Sequence, residues 1–141
     1  MSFKELNSLA LEKKEYLIAL RRRIHENPEL DFNCENTARL VEKELDDLDI
    51  RHFRVAGTGV VGVLQGGNGG KTVAFRADMD ALPVYEATKA VYASKVEGRM
   101  HACGHDVHTA SLLGTASLLA AMREKFSGTV KFFFQPAEET N

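Results

Sequence analysis

The sequence predicts an α/β protein, a three-layer sandwich built on a mixed sheet of about four strands. Helical periodicity in the N-terminal third gives way to short runs rich in valine and phenylalanine, which glycines and turn residues bound. A long apolar helical segment then separates two of these runs, so that a strand, a helix and a strand form a crossover unit. At 141 residues the chain fits one domain with a sizeable core.

Three helices are predicted. Apolar residues recur at helical spacing over residues 9–26, and Pro28 lies just beyond as a stop. Over residues 35–48 the apolar positions again share one face, and Asn33 is a candidate N-cap. Residues 106–126 are apolar nearly all round, which is typical of a helix buried against a sheet.

Four strands are predicted, over residues 52–55, 59–65, 72–77 and 129–135. The glycine-rich stretch at 66–70 most simply joins the second and third strands as an antiparallel hairpin. The fourth strand is too continuously apolar for a sheet with one open side, so we expect cover on both of its faces. Because the third helix connects the third and fourth strands, these two are predicted to be parallel.

Composition excludes several classes of protein. Lys and Arg number 18 against 20 Asp and Glu, so no basic excess is available to bind a phosphate backbone. Cys34 and Cys103 are too few for a disulfide framework and are compatible with a reducing compartment. The N-terminal segment lacks the apolar run of a secretory signal, and the apolar-rich segment 110–122 is too short to cross a membrane. A cytoplasmic protein that binds neither nucleic acid nor membrane is expected.

The densest polar cluster is residues 100–108, which hold three of the five histidines and Cys103. The C-x-H spacing of Cys103 and His105, on a turn that enters a helix, lets thiolate and imidazole bind the same divalent metal ion. Helix N-terminal amides should also favour the thiolate. Two alternatives stay open: a buried core cysteine beside capping histidines, and a cysteine nucleophile with a histidine base.

Two acidic clusters are expected at the same sheet edge, where ligands gather outside the carboxyl ends of parallel strands. Glu138 and Glu139 follow the fourth strand; one could bind a metal ion while its neighbour takes a proton from metal-bound water. Asp78 and Asp80 follow the third strand, and Asp80 could orient a ligand or the base. Taken singly, each cluster also fits ordinary solvated acids. Together, the three clusters favour a metal-dependent hydrolase.

Three segments, FRADMDALP, MHACGHDVHTA and FQPAEE, resemble in order and spacing the aminoacylase and carboxypeptidase-type metallopeptidase family. The branch they most resemble is that of hippurate hydrolases and auxin-conjugate amidohydrolases. The earlier stretches RRRIHENPELDFNCENTARLVEKEL and VAGTGVVGVLQG resemble the same branch. The resemblance implies a zinc-exopeptidase-like catalytic domain, two co-catalytic ions of zinc or manganese, and cleavage of the amide of N-acyl amino acids or small peptides.

The resemblance also implies roles for five residues of this chain: metal ligation by Cys103, His105 and Glu139, with the thiolate bridging, general base catalysis by Glu138, and orientation of the site by Asp80. Asp78 stands where other branches have a metal-binding histidine, and we do not assign it as a ligand.

Members of this family are considerably longer than 141 residues. We therefore expect residues 1–141 to be the N-terminal part of a catalytic domain, without the lid and dimerisation domain or the C-terminal half. Two hypotheses follow: a metal-dependent amidohydrolase, or a truncated, catalytically inactive fragment or association module with an incomplete metal site. For this chain alone we expect no activity, at most one weakly held metal ion, and a homo-oligomer that covers exposed sheet surface.

Overall fold

A mixed four-stranded sheet organises the computed structural model, which describes residues 3–140. The helices are α1 (Phe3–Glu12), α2 (Lys14–His25), α3 (Glu35–Asp47) and α4 (His105–Ala121); the strands are β1 (Arg51–Val55), β2 (Gly59–Gln65), β3 (Gly67–Asp78) and β4 (Ser127–Gln135). The strand order is β1-β2-β4-β3, with β4 antiparallel to β2 and parallel to β3. The α/β class, the mixed four-stranded sheet and the parallel crossover through α4 are therefore confirmed.

The expected hairpin between β2 and β3 is wrong, because β4 lies between these two strands. The backbone amides of Gly66 and Gly67 donate to the carbonyls of Gly128 and Phe126, so the glycine stretch meets the start of β4. A Cβ on Gly70 would lie 2.7 Å from the backbone of Ser127, and glycine permits this close passage. The glycines thus let the chain cross the end of β4 rather than fold back beside β2.

The predicted N-terminal helix is two helices, α1 and α2, which meet at Lys13. The amide of Lys13 donates to the carbonyl of Ala10, three residues back, so the α-helical hydrogen-bond ladder is interrupted there. The predicted third helix likewise ends earlier than expected, at Ala121, and a 3₁₀ turn follows over Arg123–Lys125.

The expectation that Asn33 caps α3 is also wrong, because the N-cap is Cys34 and it makes no side-chain capping bond. The carboxylate of Glu29 performs this function from earlier in the chain. It accepts hydrogen bonds from the backbone amides of Asn36 and Thr37, at 3.0 and 2.8 Å. A charged acceptor at these amides satisfies donors that a helix start leaves unpaired.

The core lies on one face of the sheet. Helix α3 packs on β1 and β2, α4 packs mainly on β3, and α2 packs against α4. The core side chains of β2 and β4 are Val60, Leu64, Val130, Phe132 and Phe134.

The opposite face of the sheet is open in the described part of the chain. The antiparallel register places Phe53, Val61 and Phe133 in one row there, and Phe53 and Phe133 are 47% and 37% exposed. The expectation that β4 is covered on both faces is therefore wrong for residues 3–140. Within the same residues, no helix is long and apolar enough to cross a membrane.

Candidate metal centre

The three polar clusters meet at one edge of the sheet, as the crossover predicts. Strands β3 and β4 run parallel and end side by side, with Asp78 paired to Gln135. Helix α4 begins at His105, next to this edge, and the loop before it holds Cys103. The crossover thus brings together side chains that lie far apart in the sequence.

Cys103, His105 and Glu139 each place one potential ligand atom within 4.8 Å of the others. The Nδ1 atom of His105 lies 2.8 Å from the carbonyl of Asp80 and donates to it. That bond fixes the tautomer, so Nε2 is the nitrogen left to bind a cation. Nε2 lies 3.7 Å from Oε1 of Glu139.

These three residues fit a divalent metal ion. Two ligands on a tetrahedral zinc ion lie about 3.3–3.6 Å apart, given bond lengths of about 2.0–2.3 Å, close to the separation of His105 and Glu139. The Oε1 atom of Glu139 is buried and has no hydrogen-bond partner. A buried carboxylate oxygen without a partner is costly, and a cation beside it would remove that cost.

Asp80 connects two of these residues. Its side chain is buried, its Oδ2 accepts a hydrogen bond from the amide of Glu139 at 3.0 Å, and its Oδ1 lies 3.3 Å from Nδ1 of His105. Its carbonyl accepts from the same imidazole. Asp80 therefore holds the ring of His105 and the backbone of Glu139 in one relative position.

Glu138 lies beside the same imidazole and is partly open to solvent. Its Oε2 atom is 3.7 Å from Nε2 of His105, and its Oε1 atom is 3.7 Å from the Arg76 guanidinium. Arg76 also bonds Asp78 through Nε at 2.7 Å, and this hydrogen bond raises the pKa of Arg76 further above its usual value. Glu138 thus combines access to water with a nearby permanent positive charge.

The expected preference of Cys103 for the thiolate form is opposed by the acidic side chains around it. A hydrogen bond to Glu139, together with desolvation and the charges of Glu139 and Glu138, raises the pKa of the Cys103 thiol. The nearby carboxylates thus favour the protonated thiol. Cys103 is exposed, whereas Cys34 is the buried cysteine, and burial raises the pKa of Cys34 to about 12.

Sequence reasoning missed a buried ionic cluster behind the site. The Oδ2 atom of Asp106 lies 2.7 Å from Nδ1 of His25 and 2.6 Å from Nε of Arg21. Asp106 follows His105 directly, so this cluster anchors the start of α4 to α2. Its only sequence signal is a histidine at the buried end of an amphipathic helix.

His101 is also buried, and neither of its ring nitrogens has a hydrogen-bond partner. Burial lowers the pKa of His101 to about 4.

Comparison with known proteins relates this site to a metallopeptidase family. Residues 74–141, which contain all five predicted site residues, match the family model described as peptidase family M20/M25/M40. The resemblance inferred from the sequence motifs is confirmed.

Two curated relatives of this chain and one solved structure illustrate the similarity. Hippurate hydrolase of Campylobacter jejuni is 51% identical over 121 residues, which are 85% of this chain and 31% of that protein. N-acetylcysteine deacetylase of Bacillus subtilis is 48% identical over 128 residues, 87% of this chain and 33% of that protein. The crystal structure of a dinuclear metal-binding peptidase from Bacillus subtilis superposes with a TM-score of 0.85 at 44% identity, covering 98% of this chain and 37% of that one. The chain thus spans about a third of the length of the curated relatives it matches.

Proposed function

We propose that this chain provides the metal-binding and general-base residues of a metal-dependent amidohydrolase that cleaves the amide of N-acyl amino acids or small peptides. The observation that carries the proposal is the convergence of Cys103, His105 and Glu139 with Glu138 at one sheet edge. Two relatives support the substrate class, since one is named for hippurate hydrolysis and one for deacetylation of N-acetylcysteine.

In this proposal Cys103, His105 and Glu139 hold one divalent ion, zinc or manganese, in the described part of the chain. When bound, such an ion supplies Lewis acid chemistry, which polarises an amide carbonyl and makes water more acidic. Asp80 orients the imidazole of His105 through its carbonyl and carboxylate, and it holds Glu139 through the amide. Three protein ligands leave room for water or substrate beside them. Three ligands are too few to hold two ions tightly, so we propose at most one weakly held ion.

Glu138 is the proposed general base. Its Oε2 faces the same space as Nε2 of His105, so it can take the proton of an attacking water molecule there. The same oxygen can then deliver that proton to the departing amine nitrogen when the amide bond breaks. The other carboxylate oxygen of Glu138 lies 3.7 Å from the Arg76 guanidinium.

An assay of amino acid release from hippurate and N-acetylcysteine, with added zinc or manganese, tests this proposal. Any metal-dependent turnover by this chain should fall at least about 100-fold in Glu138→Gln, with metal content unchanged. The exposed Glu97→Gln variant is the matched control and should match the wild type. Turnover that persists in Glu138→Gln would contradict the assigned base. A metal-loaded chain without turnover would favour the alternative of an inactive association module.

We also propose that this chain forms a homo-oligomer through the open face of its sheet. Phe53, Val55 and Phe133 are exposed on this face, and apolar side chains grouped on a surface favour association. Light scattering at micromolar concentration should give a mass above the 15.6 kDa of one chain, and Phe133→Lys should lower the measured mass towards that of the monomer. A stable wild-type monomer would contradict this proposal.

A further inference from the structure

Sequence reasoning did not assign Asp78 as a ligand, but the geometry supports this assignment: we propose that Asp78, His105 and His108 form a second cation position, which we call the outer position. It competes with the position formed by Cys103, His105 and Glu139, called the inner position. The two share His105, so an ion occupies one or the other. The inference rests on the proposed function only through this shared histidine.

The geometry of the outer position is that of a ligand set. Asp78, His105 and His108 each place one potential ligand atom within 4.8 Å of the others. His105 and His108 lie one turn apart on α4, and their rings stack with centroids 5.3 Å apart. Nδ1 of His108 and Oδ2 of Asp78 are 3.6 Å apart, too far for a good hydrogen bond but close to the separation of about 3.3–3.6 Å between ligands on one zinc ion.

The single free nitrogen of His105 makes the two positions exclusive. Its Nδ1 donates to the carbonyl of Asp80, which leaves Nε2 as the one nitrogen for a cation. An imidazole nitrogen has one lone pair and binds one ion at a time. An ion that moves from the outer to the inner position keeps His105 and exchanges Asp78 and His108 for Cys103 and Glu139.

Exposure suggests the direction of this exchange. His108 is half exposed, whereas His105 and Asp78 are buried beneath it. An ion from solvent can therefore reach the outer position by displacing water at His108. The inner position adds a thiolate, a ligand that zinc binds well. The outer position is thus suited to loading the ion, and the inner position to retaining it.

Arg76 controls the strength of the outer position. Its Nε atom lies 2.7 Å from Oδ1 of Asp78, so a cation at Asp78 meets a fixed positive charge. Removing that charge should strengthen cation binding at the outer position. Because Arg76 also lies 3.7 Å from Glu138, beside the inner position, this gain identifies the outer position only in a variant that lacks the inner ligands.

Cobalt(II) titrations separate the two positions, since only an ion at the inner position shows a thiolate-to-cobalt charge-transfer band. We expect the wild type to bind one equivalent with this band. The double variant Cys103→Ser, Glu139→Gln should still bind one equivalent, more weakly and without the band. On that background His108→Ala should weaken binding at least about 10-fold, whereas the matched control His52→Ala should not. Arg76→Gln on the same background should tighten binding.

Several results would overturn the proposal. The wild type could bind two equivalents of cobalt at the same time. The double variant could bind no cobalt although circular dichroism shows that it is folded. The affinity of the double variant for cobalt could be unchanged by His108→Ala. If the double variant does not fold, the test uses Arg76→Gln in the otherwise unchanged chain. In this variant the fraction of bound cobalt that lacks the thiolate band should rise. If that fraction does not rise, the proposal is contradicted. A missing thiolate band in the wild type, with binding still dependent on His108, would defeat the inner position and the proposed function while leaving the outer position intact.

Discussion

Replacing Glu29 with alanine should destabilise the fold far more than the loss of an ordinary surface acid. The Glu29 carboxylate is buried and accepts four hydrogen bonds, from the backbone amides and the side chains of Asn36 and Thr37. The backbone carbonyl of Glu29 accepts from the amide of Ala81, next to Asp80. The same residue therefore supports both the start of α3 and the segment that orients the candidate metal centre.

The expected loss is about 3 kcal/mol. Removing an N-terminal cap costs about 1 kcal/mol, and leaving buried donors without a charged acceptor costs about 1–3 kcal/mol more. With an m value of about 1.5 kcal/mol/M, this loss lowers the urea midpoint by about 2 M. Glu29→Gln should lose less, because its amide oxygen still accepts from one of the two residues while its NH₂ group faces the donors of the other.

Urea unfolding followed by circular dichroism measures this loss. Glu97→Ala is the matched control: because Glu97 is exposed, this change should leave the free energy of unfolding within about 0.5 kcal/mol of the wild type. A loss below about 0.5 kcal/mol for Glu29→Ala would show that water replaces the carboxylate at α3, and the capping argument would be refuted.

Three further perturbations test other parts of the structure. Phe132→Ala, which removes a fully buried ring, should cost about 3–5 kcal/mol in urea unfolding. A hydrogen bond from Arg54 lowers the pKa of Glu42, so this pair stabilises the fold at neutral pH and the contribution disappears as the pH falls through the folded pKa of Glu42. Arg54→Gln should therefore cost less than about 1 kcal/mol at pH 7, and the difference from wild type should shrink in acid. Because the pKa of the Cys103 thiol is raised, alkylation of the metal-free chain should be slow at neutral pH, accelerate in base and be blocked by zinc, while Cys34 stays unlabelled.

Local patterns in the sequence were sufficient to predict most of the elements. Strand β2 was predicted with its observed bounds, and α3 within one residue, because glycines and an amphipathic period mark them locally. The position of β4 between β2 and β3 could not be predicted in this way. Strand order depends on which distant strands share the core, and the glycine stretch equally permits a hairpin.

The sequence was sufficient to predict those features of the candidate site that depend only on the topology of the sheet. The parallel crossover predicted that Asp80, His105 and Glu139 meet at one edge, and they do. The raised pKa of Cys103 was not predicted, because it depends on how closely the carboxylates approach in three dimensions. The pairing of His25 with Asp106 spans 81 positions, and the position of His25 on its amphipathic helix does not identify the distant partner.

Zinc X-ray absorption at one equivalent or less of added metal shows whether Cys103, His105 and Glu139 bind the ion. We expect one sulfur neighbour at about 2.3 Å with nitrogen and oxygen neighbours at about 2.0–2.2 Å. The sulfur neighbour should vanish in Cys103→Ser, and His105→Ala should lower the bound zinc. A wild-type spectrum without sulfur, or two tightly held equivalents per chain, would contradict this ligand assignment.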